Sequence, residues 1–589
     1  MARLILSSHS TMSTDGEPMA NLDVTTGLNS LYMLYCTAPL PLVVIGIAFF
    51  YSGLTQRRSA LTMFAVPFLL SPMIIIDWFI WGYSLCYSAS SNHFIGNLDY
   101  VVLRQFRNAL TAEFTNTRGH VLAGAHVLFN MFFKLICVSL TFPGCVAERG
   151  RVLPMILFAF IWSTIIYNPV TYWFWNSNGW LSVDLGRLPV LDFAGGNCVH
   201  IVSGFTCLAY SYILGPRNPK LLYNYRNSNT GHIIFGTFLV FMGWIGYIAG
   251  CDFKFSFNSI YIILNTLIAA CASGIVWTAI DFFFSSVPLE GESAGFKHRD
   301  SKVSSEDNHS PMLQAIVSRT GVSINQRLHE SKSNFVEKRK FSMISFSSGI
   351  MTGLVVFTPG GGYVSSNAEF WKGIIFGVVG AVSGNLATRL KYFFNIDDAL
   401  DLFAVHGIPG IVGSLLTGIF ANDLYDSKGG WVKGNWKQFG YQLLGLVVTS
   451  AYVFIMSVVV LYLIDLIPGF HLRIDKDFNR REREKTLKAK QLDQELESQT
   501  SPQQVIPHVS DSTEQMSFWE QVELQGTDGY EFNGEFMLDF MEFIRAIRPQ
   551  DYEDDDLRDI IQPPNQYEGY IGQDFELHQE GVHNLTKRE

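Results

Sequence analysis

Two histidines sit inside long apolar runs, His200 in Asp192-Phe-Ala-Gly-Gly-Asn-Cys-Val-His200 and His406 in Asp401-Leu-Phe-Ala-Val-His406. A titratable ring at bilayer depth is costly to solvate, so such residues mark a substrate or proton path. The plain alternative is two satisfied core histidines that join helices. Each ring has a carboxylate upstream (Asp192, Asp401) and a small residue close downstream, and that shared context favours a functional pair. Hydrogen-bond acceptance and proton relay are the chemistry open to it, because imidazole titrates near neutral pH.

The elements that must position these rings are membrane helices. The 589 residues are 48% hydrophobic and 16% charged, too apolar for an ordinary soluble protein. A bilayer core needs about 20 apolar residues per helix. Such runs lie near 31–53, 61–87, 121–147, 153–175, 194–214, 230–250, 257–284, 342–363, 370–390, 402–421 and 438–467. They predict an all-α integral membrane fold of eleven transmembrane helices. Arg57, Arg58, Arg149, Arg151, Arg217, Lys220, Arg389 and Lys391 all follow odd-numbered spans. Basic short loops stay inside, which puts the N-terminus outside and the C-terminus in the cytosol. The domain reading is an extracellular segment 1–29, a transmembrane domain 30–470 and a cytosolic regulatory tail 471–589. Residues 287–340, rich in Ser, Lys, Arg and His without apolar period, read as a disordered cytosolic insertion.

The net charge of -10 mainly reflects the acidic tail around Glu553–Asp556, and basic residues are dispersed, which argues against nucleic acid. The eight cysteines show no C-x-x-C spacing and read as small buried hydrophobes, so no metal or cofactor is expected. Gly373/Gly377 and Gly380/Gly384 form small-x-x-x-small pairs, and Gly407, Gly410 and Gly413 recur every third residue. Both patterns thin a helix face for close packing.

Both histidine segments resemble the signatures of the ammonium transporter family (Amt/Mep/Rh). Further similar motifs run in order: FFYSG at 49–53, FIWGYSL at 79–85, AERGR at 147–151, FNSIYIILNT at 257–266 and TPGGGYV at 358–364. The tail residues Gly526, Asp528, Glu531, Gly534 and Glu535 resemble the cytosolic G-x-D-x-x-E-x-G-E-F motif, with one extra residue before Gly534. The long tail looks most like that of fungal Mep proteins. The resemblance implies a plasma-membrane homotrimer, one pore per subunit, passing ammonium or methylammonium through the lipid bilayer. It implies that His200 and His406 are pore-lining twin histidines and that Trp175 recruits ammonium at the outer mouth. Asp192 matches the buried carboxylate at the top of the pore, which the residue chemistry assigns to fixing its loop.

Three positions depart from the family pattern. Tyr247 replaces a gate Phe, and Cys251 replaces a recruiting Ser, a weaker hydrogen-bond partner. Span three admits two registers. Counting back from Glu148 without a gap puts Lys134 at the gate, whereas one extra residue puts Phe129, Asn130 and Phe133 over the family's aromatic-Gln-x-x-Phe. A charged Lys134 about 6 Å from bound ammonium would repel it by ~2.8 kcal/mol at an effective dielectric of ~20. Asp77, an unusual charge at matched depth on span two, is the expected partner; the alternative is that Lys134 snorkels or faces a neighbouring subunit.

The expected function is ammonium transport without covalent chemistry, so the chain is not expected to be an enzyme. A sensor on the same scaffold, with weak or no transport and with kinase or signalling partners at the tail, is the competing reading. A general cation channel would need a ring of carboxylates or carbonyls, and no such repeat is found.

Overall fold

Backbone groups in hydrocarbon must satisfy one another, so apolar runs of this length fold as helices. The computed structural model describes residues 24–90, 92–104, 120–184, 186–222, 225–284, 341–394, 396–498 and 517–532. Among them, ten helices are long and apolar enough to cross a membrane. They are α1 Val24–Leu54, α2 Arg57–Tyr87, α3 Ala123–Val146, α4 Val152–Trp175, α5 Gly196–Leu214, α6 Thr230–Gly250 and α7 Phe257–Phe284, then α9 Trp371–Phe394, α10 Phe403–Phe420 and α11 Trp436–Asp465. Between α7 and α9 lies α8, Met343–Phe357, an apolar helix of 15 residues, shorter than the run 342–363 suggests. Thr358-Pro359-Gly360 turns the chain after it, and a short helix Gly361–Val364 follows. The insertion 287–340 and most of 1–29 lie outside the described residues.

Helix α1 packs along α6, α7 lies against α8 and α9, and α5 against α3 and α11. Glycines permit these approaches. A methyl group at Gly377 of α9 would sit 2.4 Å from the Ala269 carbonyl of α7. Beyond α11, the charged α12 (Phe478–Ser498) and the short α13 (Phe518–Gln525) and α14 (Thr527–Glu531) complete the described chain.

Candidate functional site

His200 lies on a π-helical turn, Gly196–Ile201, that opens α5, and His406 on another, Phe403–Gly407, that opens α10. Such wide turns are rare and concentrate at functional sites. Asp192, in the loop before it, caps the first. Its Oδ1 accepts from the backbone N–H of Gly195 (2.8 Å) and Gly196 (2.7 Å), and its Oδ2 from Asn197 (2.7 Å) and Cys198 (3.2 Å). Four otherwise orphaned helix donors thus converge on one buried carboxylate. Gly195, at φ +109°, makes the convergence possible, since a side chain there would be strained. On the His406 side, Asp398 accepts from Phe403 N at 2.7 Å. Burial, helped by nearby Asp401, pushes the Asp398 carboxyl up to about 6. Asp401 pairs with Lys391 at 2.5 Å.

The two turns meet because α5 and α10 cross on glycine: a methyl at Gly204 would lie 2.5 Å from Gly407 Cα. His406 Nδ1 then comes within 3.3 Å of His200 Nδ1, with the rings 19° from parallel and both side chains buried. One nitrogen must carry a proton and the other a lone pair. Thr358 decides which. Its hydroxyl donates to the Leu354 carbonyl (2.8 Å), so its oxygen is left to accept from His200 Nε2–H (3.3 Å). His200 Nδ1 is therefore the acceptor and His406 Nδ1–H the donor; a neutral His406 then keeps a lone pair on Nε2.

An unbroken column of rings leads to the pair. Trp175 meets Phe133 edge-on with centroids 5.7 Å apart, and Phe133 stacks on Tyr247 at 4.1 Å and 11°. Tyr247 leans on Trp244 at 4.5 Å, and Trp244 stacks on His200 at 5.7 Å. Phe129 flanks Phe133 at 4.9 Å. At the Trp175 end a cavity opens, lined in part by Phe129, Phe133, Trp175, Asp192 and Cys251. Two hydrogen bonds tie the column to the Asp192 loop, Trp175 Nε1–H to the Asp192 carbonyl (3.0 Å) and the Tyr247 hydroxyl to the Ala194 carbonyl (2.7 Å). The extra oxygen of Tyr247 is thus used inward, and Cys251 Sγ donates to the Tyr247 carbonyl at 3.3 Å.

Of the two registers open for span three, the ring that meets Tyr247 is Phe133. Lys134 turns instead toward α2 and α4, where Nζ sits 2.5 Å from Asp77 Oδ2, and both side chains are fully buried. Breaking such a pair by removing one partner typically costs about 3–5 kcal/mol.

At the other end of the molecule the described tail caps membrane helices. Asp528 accepts from Leu61 N (3.0 Å), Thr62 N (2.7 Å) and the Thr62 hydroxyl (2.7 Å) near the start of α2. Glu531 accepts from Val152 N at the start of α4 (2.9 Å). Gly526 (φ +103°) passes so close that a methyl would lie 2.4 Å from the Arg58 carbonyl. Glu523 holds Arg473 at 2.6 Å. Beside it Arg217 bridges Glu148 (2.5 Å) and Asp397 (2.7 Å). Burial opposes the Asp397 charge, but the Arg217 and Arg149 guanidiniums outweigh it and hold the carboxyl far below the usual carboxylate range. Gly534 and Glu535 lie outside the described residues.

Thr358, Trp244 and Asp398 join the site although sequence reasoning did not single them out. Their signals were present: Thr358 opens the TPGGGYV motif, Trp244 sits one turn before Tyr247, and Asp398 neighbours Asp401.

Comparison with known proteins places the chain in a family. The model of the Ammonium Transporter Family matches residues 31–287 and 324–486. Ammonium transporter 1 of Schizosaccharomyces pombe is 33% identical over 476 residues, 77% of this chain and 81% of the relative. Ammonium transporter MEP2 of Saccharomyces cerevisiae is 32% identical over 497 residues, 80% of this chain and 86% of the relative. The crystal structure of Saccharomyces cerevisiae Mep2 superimposes with a TM-score of 0.63 at 30% identity, covering 78% of this chain and 90% of that one. With a match this long, and relatives this similar over most of their length, the chain belongs to the ammonium transporter family.

Proposed function

We propose that this family member carries ammonium, or ammonia plus a proton, past His200 and His406 in each subunit of a plasma-membrane homotrimer. The observation that carries the reading is the 3.3 Å Nδ1–Nδ1 contact between two buried rings on paired π turns. Ammonium is close in size to potassium, so a site of aromatic faces attracts either cation by about 0.5–2 kcal/mol. Only ammonium can donate a proton. Neutral imidazoles with an accepting Nε2 offer the partner that potassium cannot use.

In this reading Trp175, Tyr247 and Cys251 recruit the cation, and Asp192 serves by holding the loop. Phe133 and Tyr247, flanked by Phe129, form the gate. Stacked at 4.1 Å, the two rings leave no room for a cation between their faces, so passage requires one to swing aside. Helix α8 completes eleven spans, with the N-terminus outside and the tail in the cytosol. Residues 1–29 are then extracellular, 30–470 form the transporter, and 471–589 regulate it through Gly526, Asp528, Glu531, Gly534 and Glu535. Kinase or signalling partners act on that tail.

The closed stack also favours a second reading, a sensor that binds ammonium and conducts poorly. Radiolabelled methylammonium uptake in transporter-deficient yeast separates the two at matched surface expression. Transport predicts robust uptake that His200→Ala or His406→Ala abolishes; no uptake despite surface expression would favour sensing.

A further inference from the structure

The described residues contain four π-helical turns, and they fall into two pairs. One pair carries the histidines. The other, Trp78–Gly82 in α2 and Ser163–Tyr167 in α4, surrounds the end of Lys134. Asp77 immediately precedes the first of these turns, and Asn168 immediately follows the second.

The Lys134 ammonium donates to Asp77 Oδ2 at 2.5 Å and to Asn168 Oδ1 at 2.9 Å. It lies over the Trp78 ring at 5.5 Å and the Tyr167 ring at 5.4 Å. Ser163 braces the carboxylate, donating to Asp77 Oδ2 at 2.8 Å. One anionic oxygen, one amide oxygen and two aromatic faces are the acceptor and ring set that suits a small primary ammonium ion. The wall is close-fitting: a methyl at Gly82 would sit 2.9 Å from Asp77 Oδ2 and 3.0 Å from Lys134 Nζ. Asp77 Oδ1 is buried and makes no hydrogen bond among the described residues, so the carboxylate has capacity for a further donor. A free ammonium ion would bring four N–H groups where the lysine brings three.

We propose that this pocket is a second ammonium-binding site, beside the gate, which Lys134 occupies with a tethered ammonium of its own. Shortening Lys134 converts it into a site for free ammonium, methylammonium or ethylammonium. In the intact protein the tether fixes α3 against α2 and α4. Because Phe133 is the preceding residue, Lys134 is a positioning residue for the gate ring. The claim concerns binding and stands apart from whether the histidine path conducts.

The test is chemical rescue, read as thermal stability and folded yield of the full-length protein in detergent. Lys134→Ala is compared in sodium, potassium, ammonium, methylammonium and ethylammonium chloride at equal ionic strength. The expected result is a lowered melting temperature that the ammonium salts raise by roughly 2–4 °C and potassium raises less. Wild type, in which Lys134 fills the pocket, should show only the smaller shift that ammonium bound along the histidine path gives, and Asp77→Asn/Lys134→Ala should fall back to that smaller shift. Lys134→Ser repeats the comparison if the alanine variant is recovered poorly. A variant that no amine stabilises, or an equal shift in wild type or in the Asp77→Asn double variant, overturns the proposal.

Discussion

Replacing Asp192 by Asn separates a carboxylate that holds a helix from one that binds the substrate. In the structure its two oxygens accept four backbone N–H bonds of 2.7–3.2 Å, from Gly195 and from the first residues of the turn that carries His200. Asparagine keeps one oxygen and turns the other position into a donor. Two N–H groups then lose their acceptor and face an NH2 group. Hydrogen bonds to a charged group contribute about 1.5–3 kcal/mol each, so the loss is on the order of 3–6 kcal/mol. Single substitutions rarely exceed about 4–5 kcal/mol, which places this one in the severe class. Thermal unfolding of the detergent-solubilised protein and methylammonium uptake should be measured on the same preparations. We expect Asp192→Asn to lower the melting temperature by several degrees and to abolish uptake, and Asp192→Ala to do worse. Wild-type thermal stability with lost uptake would refute the reasoning, because it would assign the carboxylate to the cation instead.

Other outcomes follow from neighbouring contacts. Thr358→Val keeps the shape but removes the acceptor for His200 Nε2–H, at a cost of about 1–3 kcal/mol; uptake should fall severalfold and Thr358→Ser should restore it. Asp398 has its folded-state value raised to about 6, so its contribution to stability is present below about pH 4 and is lost as pH rises through about 6. Asp398→Asn retains an acceptor for Phe403 N and should therefore stabilise the protein by about 2–3 kcal/mol near pH 8 and by little near pH 4, as read from melting temperatures across that range. Truncation before Gly526 removes the Asp528 and Glu531 caps from α2 and α4, and it should lower uptake more than deletion of 550–589; equal effects would contradict a capping role for the described tail.

Much of the fold was legible because hydropathy reports burial in lipid directly, and each described membrane helix overlaps an expected run. Helix α8 fills only part of its run, because Thr358-Pro359-Gly360 turns the chain after Phe357. Composition scores those residues as membrane-compatible without reporting that the chain turns there. Within the site, residue types marked His200, His406 and Asp192, but nothing local marked the π turns, which differ from α-helix by one residue of hydrogen-bond register. Thr358 is 158 positions from His200, and its role depends on a contact that only the tertiary fold creates. The Asp77 and Lys134 charges could be matched by depth along their helices. The rings that enclose the lysine could not, because their facing depends on the same wide turns.

Labelled methylammonium flux into proteoliposomes containing the purified protein tests the paired-histidine account most directly. The account predicts saturable flux in wild type, competed by ammonium and not by equal potassium, and lost when His200 and His406 are both replaced by Leu in a protein of unchanged thermal stability. Flux that survives the double replacement, or that potassium competes as well as ammonium does, would contradict it.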